Sequence, residues 1–214
     1  MSTRSKPTPG QRQASGRPSR RAEYAEATRR AVIDEARRLF SERGYFATKV
    51  DDIAAAARVS PATVYVVGGK QGLLRILVDL WSAAPEADTA RRSLEEAEDA
   101  AEILRIVADL TRRMREDYGD VMRVVLNTAP HDTAAAEGLA IATQRYRNGT
   151  AAAARRLADL GALRDGIDAE RALDILWFYF GYQGFFTLID DNGWSHAQAE
   201  EWLLTAACQA LLRS

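Results

Sequence analysis

Gly68, Gly69 and Lys70, in the segment VYVVGGKQGLL, are residue types that can bind a phosphate group. Glycines let a backbone approach a phosphate closely, and lysine supplies the opposite charge. A nucleotide-binding loop requires GxxxxGK and then Ser or Thr after a strand, whereas Val64 occupies the position of the first glycine and Gln71 follows the lysine. The preceding residues also have a helical pattern. The spacing therefore disfavours a nucleotide and leaves a phosphorylated metabolite and the backbone of DNA as candidate ligands.

The side chains that enzymes and metal sites use are few and scattered. His131 and His196 stand near predicted helix starts, where surface or capping roles are common, and Cys208 has no neighbouring histidine. The acidic run EEAED at 95–99 is typical of a solvated helix start, with a metal site as the less favoured alternative. We therefore expect no catalytic residue, no metal ligand and no cofactor, and an all-helical enzyme is a remote alternative.

The charge is unevenly distributed, although the net charge is only −1. Residues 1–80 contain 15 Lys and Arg against 8 Asp and Glu, and the remaining residues contain 14 against 22. This division predicts an N-terminal module for a polyanion and an acidic remainder with another role. Residues 1–21, rich in Pro, Gly and Ser with six Lys and Arg, are predicted to be a disordered basic arm. The arm either adds DNA contacts or is an inert tail.

The compartment follows from what the sequence does not contain. No stretch approaches the ~18 apolar residues that a membrane span needs, and the N-terminal arginines are not followed by the apolar core of a secretory signal. A single cysteine excludes an intramolecular disulfide framework. We therefore expect a cytoplasmic protein without membrane contact.

Helical periodicity in the first part of the chain is interrupted by glycine, proline and capping residues. A segment of only four residues, ARVS, separates two short helices, and longer helices flank them. This is the spacing of a helix-turn-helix. The four predicted helices run from Glu23 to Gly44, from Thr48 (with Asp51 in a capping-box position) to about Ala57, from Ser60 to about Val67, and from about Lys70 to Pro85.

The rest of the chain also has a helical pattern, and no alternating strand pattern of useful length occurs. Breaks are expected at Gly119, before His131, at 161–166 and at 191–195. The fold class is therefore predicted to be all-α, with about nine helices. The helices of this part are placed near 99–117, 118–128, 132–161, 168–190 and 195–213.

The string LFSERGYFATKVDDIAAAARVSPATVY resembles the signature of the TetR family of bacterial one-component transcription regulators. The resemblance covers about residues 26–85, and the C-terminal part is similar to the family only in helix count, length and apolar character. The matching positions are Ala36, Leu39, Phe40, Gly44, Tyr45, Thr48, Val50, Ile53, Ala54, Ala57, Val59, Ser60, Thr63, Tyr65, Lys70, Leu73 and Leu74.

The chain departs from the family at two points. Arg58 stands where the family usually has glycine, in a turn that often needs a left-handed backbone. Arg58 is either tolerated strain, at about 1 kcal/mol, or a phosphate contact. The joint between Tyr65 and Lys70 has four residues, VVGG, where the family commonly has five with an aromatic pair.

The resemblance implies a helix-turn-helix DNA-binding domain at 22–85, with the motif at about 49–68, and a ligand-binding and dimerisation domain at 86–214. The helix from about Pro61 would enter the major groove of double-stranded DNA, and the start of the preceding helix would meet backbone phosphates. The expected DNA-binding residues are Thr48, Lys49, Ser60, Pro61, Ala62, Thr63, Tyr65 and Lys70.

A homodimer is expected, because one recognition helix reads only a few base pairs and two would bind a pseudo-palindromic operator. The family pairs its last two helices with their symmetry mates, and the segment ILWFYFGYQGFF (175–186) is apolar nearly all round. Each of these side chains could instead be core. The expected interface residues are Phe178, Gly181, Phe185, Trp202 and Ala206.

The family's ligand pocket lies between the central helices of the C-terminal domain. An aromatic and methionine stripe there predicts a largely apolar small-molecule effector, although such a stripe is also typical of plain core. The resulting hypothesis is a repressor released from its operator by that effector; regulation by a protein partner, or by nothing, is the alternative. The candidate pocket residues are Met114, Tyr118, Met122, Tyr146, Trp177 and Phe180.

Overall fold

The structure is a computed structural model that describes residues 19–213, so the predicted arm lies outside the described residues except for its last three positions. Over the described residues the chain is helical and has no strand, which confirms the all-α class; an isolated bridge joins Leu163 and Leu212. The helices are α1 (Arg20–Arg43), α2 (Val50–Ala56), α3 (Pro61–Val67), α4 (Gly69–Ser82), α5 (Pro85–Glu96), α6 (Ala100–Thr128), α7 (Thr133–Asp159), α8 (Ala169–Phe180), α9 (Tyr182–Phe186) and α10 (His196–Leu211), with a 3-10 turn at Ala129–His131 and a π-helical turn at Thr187–Asp191.

The first helix begins earlier than its apolar periodicity indicates. Ser19 caps α1 by accepting a hydrogen bond from the amide of Ala22 at 3.3 Å, so Arg20 and Arg21 are helical and do not belong to the arm. The helix ends at Arg43 because Gly44 has a φ of +85°.

One predicted break in the second part of the chain was wrong, and one helix, α5, was not predicted. Gly119 does not end a helix: α6 continues through it, because packing outweighs the ~1 kcal/mol that a helical glycine costs. The helix α4 ends at Ser82, close to the predicted end at Pro85. Pro85 is also the first residue of α5, where its missing N–H is harmless. The helix α5 was not predicted because Leu94 is its only buried residue.

The predicted helix at 168–190 is interrupted at Gly181, whose ψ of −176° separates α8 from α9. The glycine is required there because an added Cβ would lie 2.4 Å from the carbonyl oxygen of Trp177. A π-helical turn at Thr187–Asp191 then follows α9 without a gap. Such irregular turns within helices are frequent at functional sites.

Two apolar cores hold the helices together, and α6 contributes to both. The first core joins α1–α4 to the middle of α6 and to α7, with Phe40, Leu77 and Met122 fully buried. The second joins the beginning of α6 to α7, α8 and α10. The helix-turn-helix thus shares a core with the helices that follow it. Within residues 19–213, no helix is long and apolar enough to cross a membrane.

Candidate nucleic-acid interface and effector site

The start of the recognition helix α3 is fixed by its cap and its first helical residue. Ser60 accepts a hydrogen bond from the amide of Thr63 at 3.2 Å, and Pro61 occupies the first helical position. Val64 is fully buried and fixes the inward face. The outward face therefore carries Tyr65, which is 66% exposed, together with Pro61, Ala62 and Val66.

Val66 is a surface residue that sequence reasoning missed. Its side chain is 88% exposed, the largest exposure among the large hydrophobic residues that the structure describes as exposed. The helical spacing could have indicated it, because Val66 follows the buried Val64 by two positions and therefore lies well away from the inward face. The hydroxyl of Thr63, in contrast, lies 3.0 Å from the Ser60 hydroxyl and is only partly exposed.

The turn between α2 and α3 has the left-handed residue that the resemblance predicts. Arg58 has a φ of +56°, and it is the only non-glycine residue with positive φ in residues 19–213. The next amide, of Val59, donates to the carbonyl of Ala54 at 2.9 Å and closes the turn. The Arg58 side chain is exposed, so it is free to meet a phosphate.

Thr48 is not placed for a side-chain contact with phosphate, contrary to the prediction. It is 1% exposed, and its hydroxyl hydrogen-bonds the carbonyls of Gly44 at 2.9 Å and Leu39 at 3.2 Å. The capping box lies one residue later than expected, because the amide of Lys49 donates to the carboxylate of Asp52 at 2.8 Å. Lys49 itself is exposed, as a phosphate contact requires.

The two glycines of the joint bend the backbone between α3 and α4. Gly68 ends α3 and precedes α4, with a φ of +139°, and a Cβ on it would lie 3.0 Å from the Cα of Gly72. Gly69 has a φ of +61°. Both conformations favour glycine, so the one-residue-shorter joint is made by backbone geometry.

Lys70 is held against the protein. Its Nζ lies 4.3 Å from the centre of the Tyr45 ring and donates to the carbonyl of Phe46 at 3.4 Å. Burial lowers the pKa of Lys70, while the carboxylate of Asp132 acts in the opposite direction. A contact between Lys70 and a DNA phosphate stays a prediction, because the ammonium is already engaged by an aromatic face and a carbonyl.

The interior of the second part contains a feature that the sequence reasoning did not find. Arg115 is 2% exposed and is the only charged residue among the buried side chains of residues 19–213. Its Nη2 donates to the carbonyl of Phe180 at 3.2 Å, and its Nε has no hydrogen-bond partner in the described part of the chain. Burial lowers its pKa, yet a guanidinium stays charged at neutral pH. A buried charge without a counter-ion costs on the order of several kcal/mol.

Aromatic rings surround this guanidinium. Its Cζ lies 5.3 Å from the ring centre of Tyr182 and 5.7 Å from that of Tyr146. The Tyr182 ring is also 5.5 Å from both Trp81, near the end of α4, and Trp177 on α8. We call Trp81, Tyr146, Trp177 and Tyr182 the aromatic cluster. The helical stripe of α6 could have indicated Arg115, but the predicted break at Gly119 divided that stripe.

Only some of the six predicted pocket residues lie near Arg115 and the aromatic cluster. Tyr146 and Trp177 belong to the aromatic cluster, and the carbonyl of Phe180 accepts hydrogen bonds from Arg115 and from the hydroxyl of Tyr146, at 2.8 Å for the latter. Met114 and Met122 are buried in the first core, with Tyr118 packed against it. A separate cavity of about 240 Å³ lies between α4 and α7 and is lined by none of the six; Leu74, Val78, Asp132, Gly138 and Arg145 are among its lining residues.

The predicted interface residues lie partly on the surface. Phe178 on α8 is 74% exposed and Trp202 on α10 is 50% exposed, so both side chains are available at the surface. Phe185, however, is fully buried in the second core, so it was wrongly assigned to an interface. Gly181 is buried at the break between α8 and α9, and Ala206 is partly exposed.

Two short helices joined by a tight turn, with α1 and α4 packed on them and a helical domain behind, define a helix-turn-helix DNA-binding regulator. Residues 32–75 match the family model of bacterial regulatory proteins, tetR family. No curated protein matches the chain at a significant level. The helix-turn-helix thus lies within the segment that is similar to this family of bacterial regulatory proteins.

Solved structures have the same fold over most of the chain. NalD, the secondary repressor of the MexAB-OprM multidrug efflux pump in Pseudomonas aeruginosa, is 18% identical with a TM-score of 0.73, over 90% of this chain and 99% of NalD. The TetR family transcriptional regulator PfmR from Thermus thermophilus is 22% identical with a TM-score of 0.66, over 91% and 96%. SmeT of Stenotrophomonas maltophilia, in complex with triclosan, is 19% identical with a TM-score of 0.69, over 88% and 93%. This likeness shows that about nine tenths of the chain has the fold of these regulators.

Proposed function

We propose that this protein is a homodimeric transcriptional repressor that binds a pseudo-palindromic operator and is released from it by a small molecule. The observation that carries the proposal is the outward face of α3, with Tyr65 and Val66 exposed while Val64 anchors the helix. A helix presented in this way can enter the major groove, where base edges distinguish all four base pairs. The cytoplasm, which contains the DNA, is the compartment in which it would act.

The surface of α3 favours apolar and shape-dependent reading over charged base contacts. Its exposed side chains are those of Pro61, Ala62, Tyr65 and Val66, of which only Tyr65 has a polar group. Alanine, valine and proline can contact a thymine methyl group, and the tyrosine hydroxyl suits a phosphate. Lys49 and Arg58 would neutralise phosphates on either side.

Repression that responds to a ligand requires a connection between α3 and the interior. Arg37 on α1 forms a bidentate ion pair with Asp120 on α6, at 2.7 Å for both contacts. Arg145 on α7 donates to the hydroxyl of Ser82, the last residue of α4, at 2.7 Å. A ligand that displaces α6 or α7 would therefore move α1 and α4, and with them the spacing of the two recognition helices.

Neighbours in fold support the ligand-responsive part of the proposal. NalD is a repressor of an efflux pump, and one SmeT structure is of a complex with triclosan. Both have the arrangement of helices described above, in which the interior lies behind the helix-turn-helix.

The proposal is tested by selecting an operator from random duplexes and measuring affinity by fluorescence anisotropy. We expect a fall of about 10³-fold or more between about 50 and 200 mM salt, because several phosphates are neutralised. Tyr65→Ala and Val66→Ser should each weaken binding, by roughly 1–3 kcal/mol. Leu160→Ser, at an exposed apolar residue of the second part, is the matched control. Unchanged affinity in both α3 variants would show that α3 does not read the operator.

A further inference from the structure

Arg115 lacks the counter-ion that the neighbouring arginines of its helix possess. On α6, Arg112 pairs with Glu200 at 2.7 Å and Arg123 with Asp190 at 2.5 Å. Arg115 is the most buried of the three, and no carboxylate in residues 19–213 lies within ion-pair distance of it. The most deeply buried of these three arginines is therefore the one that has no carboxylate partner.

The contacts that Arg115 makes neutralise its charge only in part. The faces of Tyr182, Tyr146, Phe186 and Phe185, at 5.3–6.0 Å, stabilise a cation only in part. One carbonyl accepts from Nη2, and Nε is unused within the described residues. The Nε and Nη2 edge of a guanidinium matches the two oxygens of a carboxylate, which can accept both hydrogen bonds side by side.

We propose that the effector is a monoanion with a carboxylate on an apolar body, and that the carboxylate pairs with Arg115 while the body packs against the aromatic cluster. This inference rests on the proposed function. Without Arg115, the aromatic cluster would suit a neutral or cationic ligand equally well. The buried guanidinium instead favours an anionic ligand, because a second cation would be repelled and a neutral ligand would leave the charge of Arg115 unpaired.

The position of the aromatic cluster connects anion binding to the DNA-binding surface. Trp81 belongs to α4, the helix that follows α3, and its ring packs against Tyr182. Tyr182 begins α9 directly after the break at Gly181, where the carbonyl of Phe180 is held by Arg115. A carboxylate that takes Nη2 from this carbonyl would loosen α9 and the contact between Tyr182 and Trp81.

The test compares ligands that share a body and differ in charge, on the full-length dimer. Octanoate is paired with octanol and octylamine, and 2-naphthoate with 2-naphthalenemethanol and 2-naphthylmethylamine. Binding is followed by tryptophan fluorescence, because Trp81 and Trp177 both contact Tyr182. We expect at least one carboxylate to bind about tenfold or more tightly than its alcohol and its amine, as a buried charge pair should.

Substitutions of Arg115 test whether this residue causes the preference for a carboxylate. Arg115→Met should abolish the preference for the carboxylate, and Arg115→Lys, which keeps the charge without the planar fork, should weaken it. Arg113→Met is the control, because Arg113 is on the same helix but exposed and paired with Asp109 at 2.8 Å. Without ligand, Arg115→Met should melt at a higher temperature than the wild type, since an unpaired buried charge is removed.

The proposal is overturned if the alcohols or amines bind as tightly as the carboxylates, if neither carboxylate binds, or if the preference survives in Arg115→Met. A lower melting temperature for Arg115→Met would also overturn it, because Arg115 would then be a structural residue. Operator affinity of the ligand-free protein is measured separately. Loss of operator binding would refute the proposed function, whereas fluorescence reports the anion site without DNA.

Discussion

Arg58 and Arg115 each have a backbone conformation or an environment that is unfavourable for an arginine. Arg58 has a left-handed backbone that glycine adopts more easily, and Arg115 is a charge in an apolar interior. Each conformation or location costs free energy, and such exceptions concentrate at functional sites. Arg58 lies in the turn that orients α3. Arg115 lies over the ring of Tyr182, which packs against Trp81 of α4. One cost is therefore located beside the proposed DNA-reading helix, and the other is located in the interior where the effector is proposed to bind.

Arg58 is expected to be a phosphate contact that is retained at a cost in stability. Arg58→Gly should raise the free energy of unfolding by about 0.5–1 kcal/mol, since relief of the left-handed strain exceeds the added entropy of the unfolded chain. Arg58→Ala should not raise it, because alanine keeps the strain. Both variants should weaken operator binding and reduce the salt slope by about 1. Urea unfolding and salt-dependent anisotropy measure the two effects.

The two variants separate strain from charge. Equal operator affinity for the wild type and Arg58→Ala would show that the side chain does not contact phosphate. Equal stability of the wild type and Arg58→Gly would show that the turn is not strained.

At the scale of elements, the sequence predicts helices well where a cap sits next to a clear apolar stripe. Ser60 and Ser195 both cap helices as their types indicate, and the fold class, the helix-turn-helix and the start of α10 follow from such signals. Glycine and proline were less informative, because their effect depends on distant packing. Gly119 lies inside α6, and Pro85 begins α5. The burial of Phe185 was not predictable for the same reason, since residues far along the chain share the second core with it.

Gly181 and Gly184 offer a matched pair of substitutions at the break between α8 and α9. Gly181→Ala should destabilise the protein by about 1–3 kcal/mol, because the added Cβ would lie 2.4 Å from the carbonyl oxygen of Trp177. Gly184→Ala should be neutral or stabilise by up to about 1 kcal/mol, since its nearest neighbours would be at 3.5 Å and alanine favours a helix. Thermal unfolding followed by circular dichroism measures both. Equal effects of the two substitutions would contradict a steric requirement at the break.

At the scale of the whole molecule, α6 connects the helix-turn-helix to the proposed effector site. It contributes to both cores, carries Arg115, and holds α1 through the ion pair between Asp120 and Arg37. In the proposed mechanism, a shift of α6 would therefore displace the helix-turn-helix as a rigid body. Within one protomer, such a displacement only tilts α3. It changes operator affinity strongly only when a second α3 must fit the same duplex at a fixed spacing of about 34–36 Å.

The dimer itself should depend on the exposed aromatic side chains of α8 and α10. Phe178→Asp should convert the protein to a monomer at micromolar concentration, because a charge would be buried in an apolar interface without a partner. Operator affinity should then fall by about 10²-fold or more, as the second recognition helix no longer binds in the same event. Tyr24→Asp, at an exposed aromatic residue of α1, is the control for oligomeric state. Sedimentation velocity distinguishes the outcomes, and a Phe178→Asp variant that sediments as a dimer would place the interface elsewhere on the molecule.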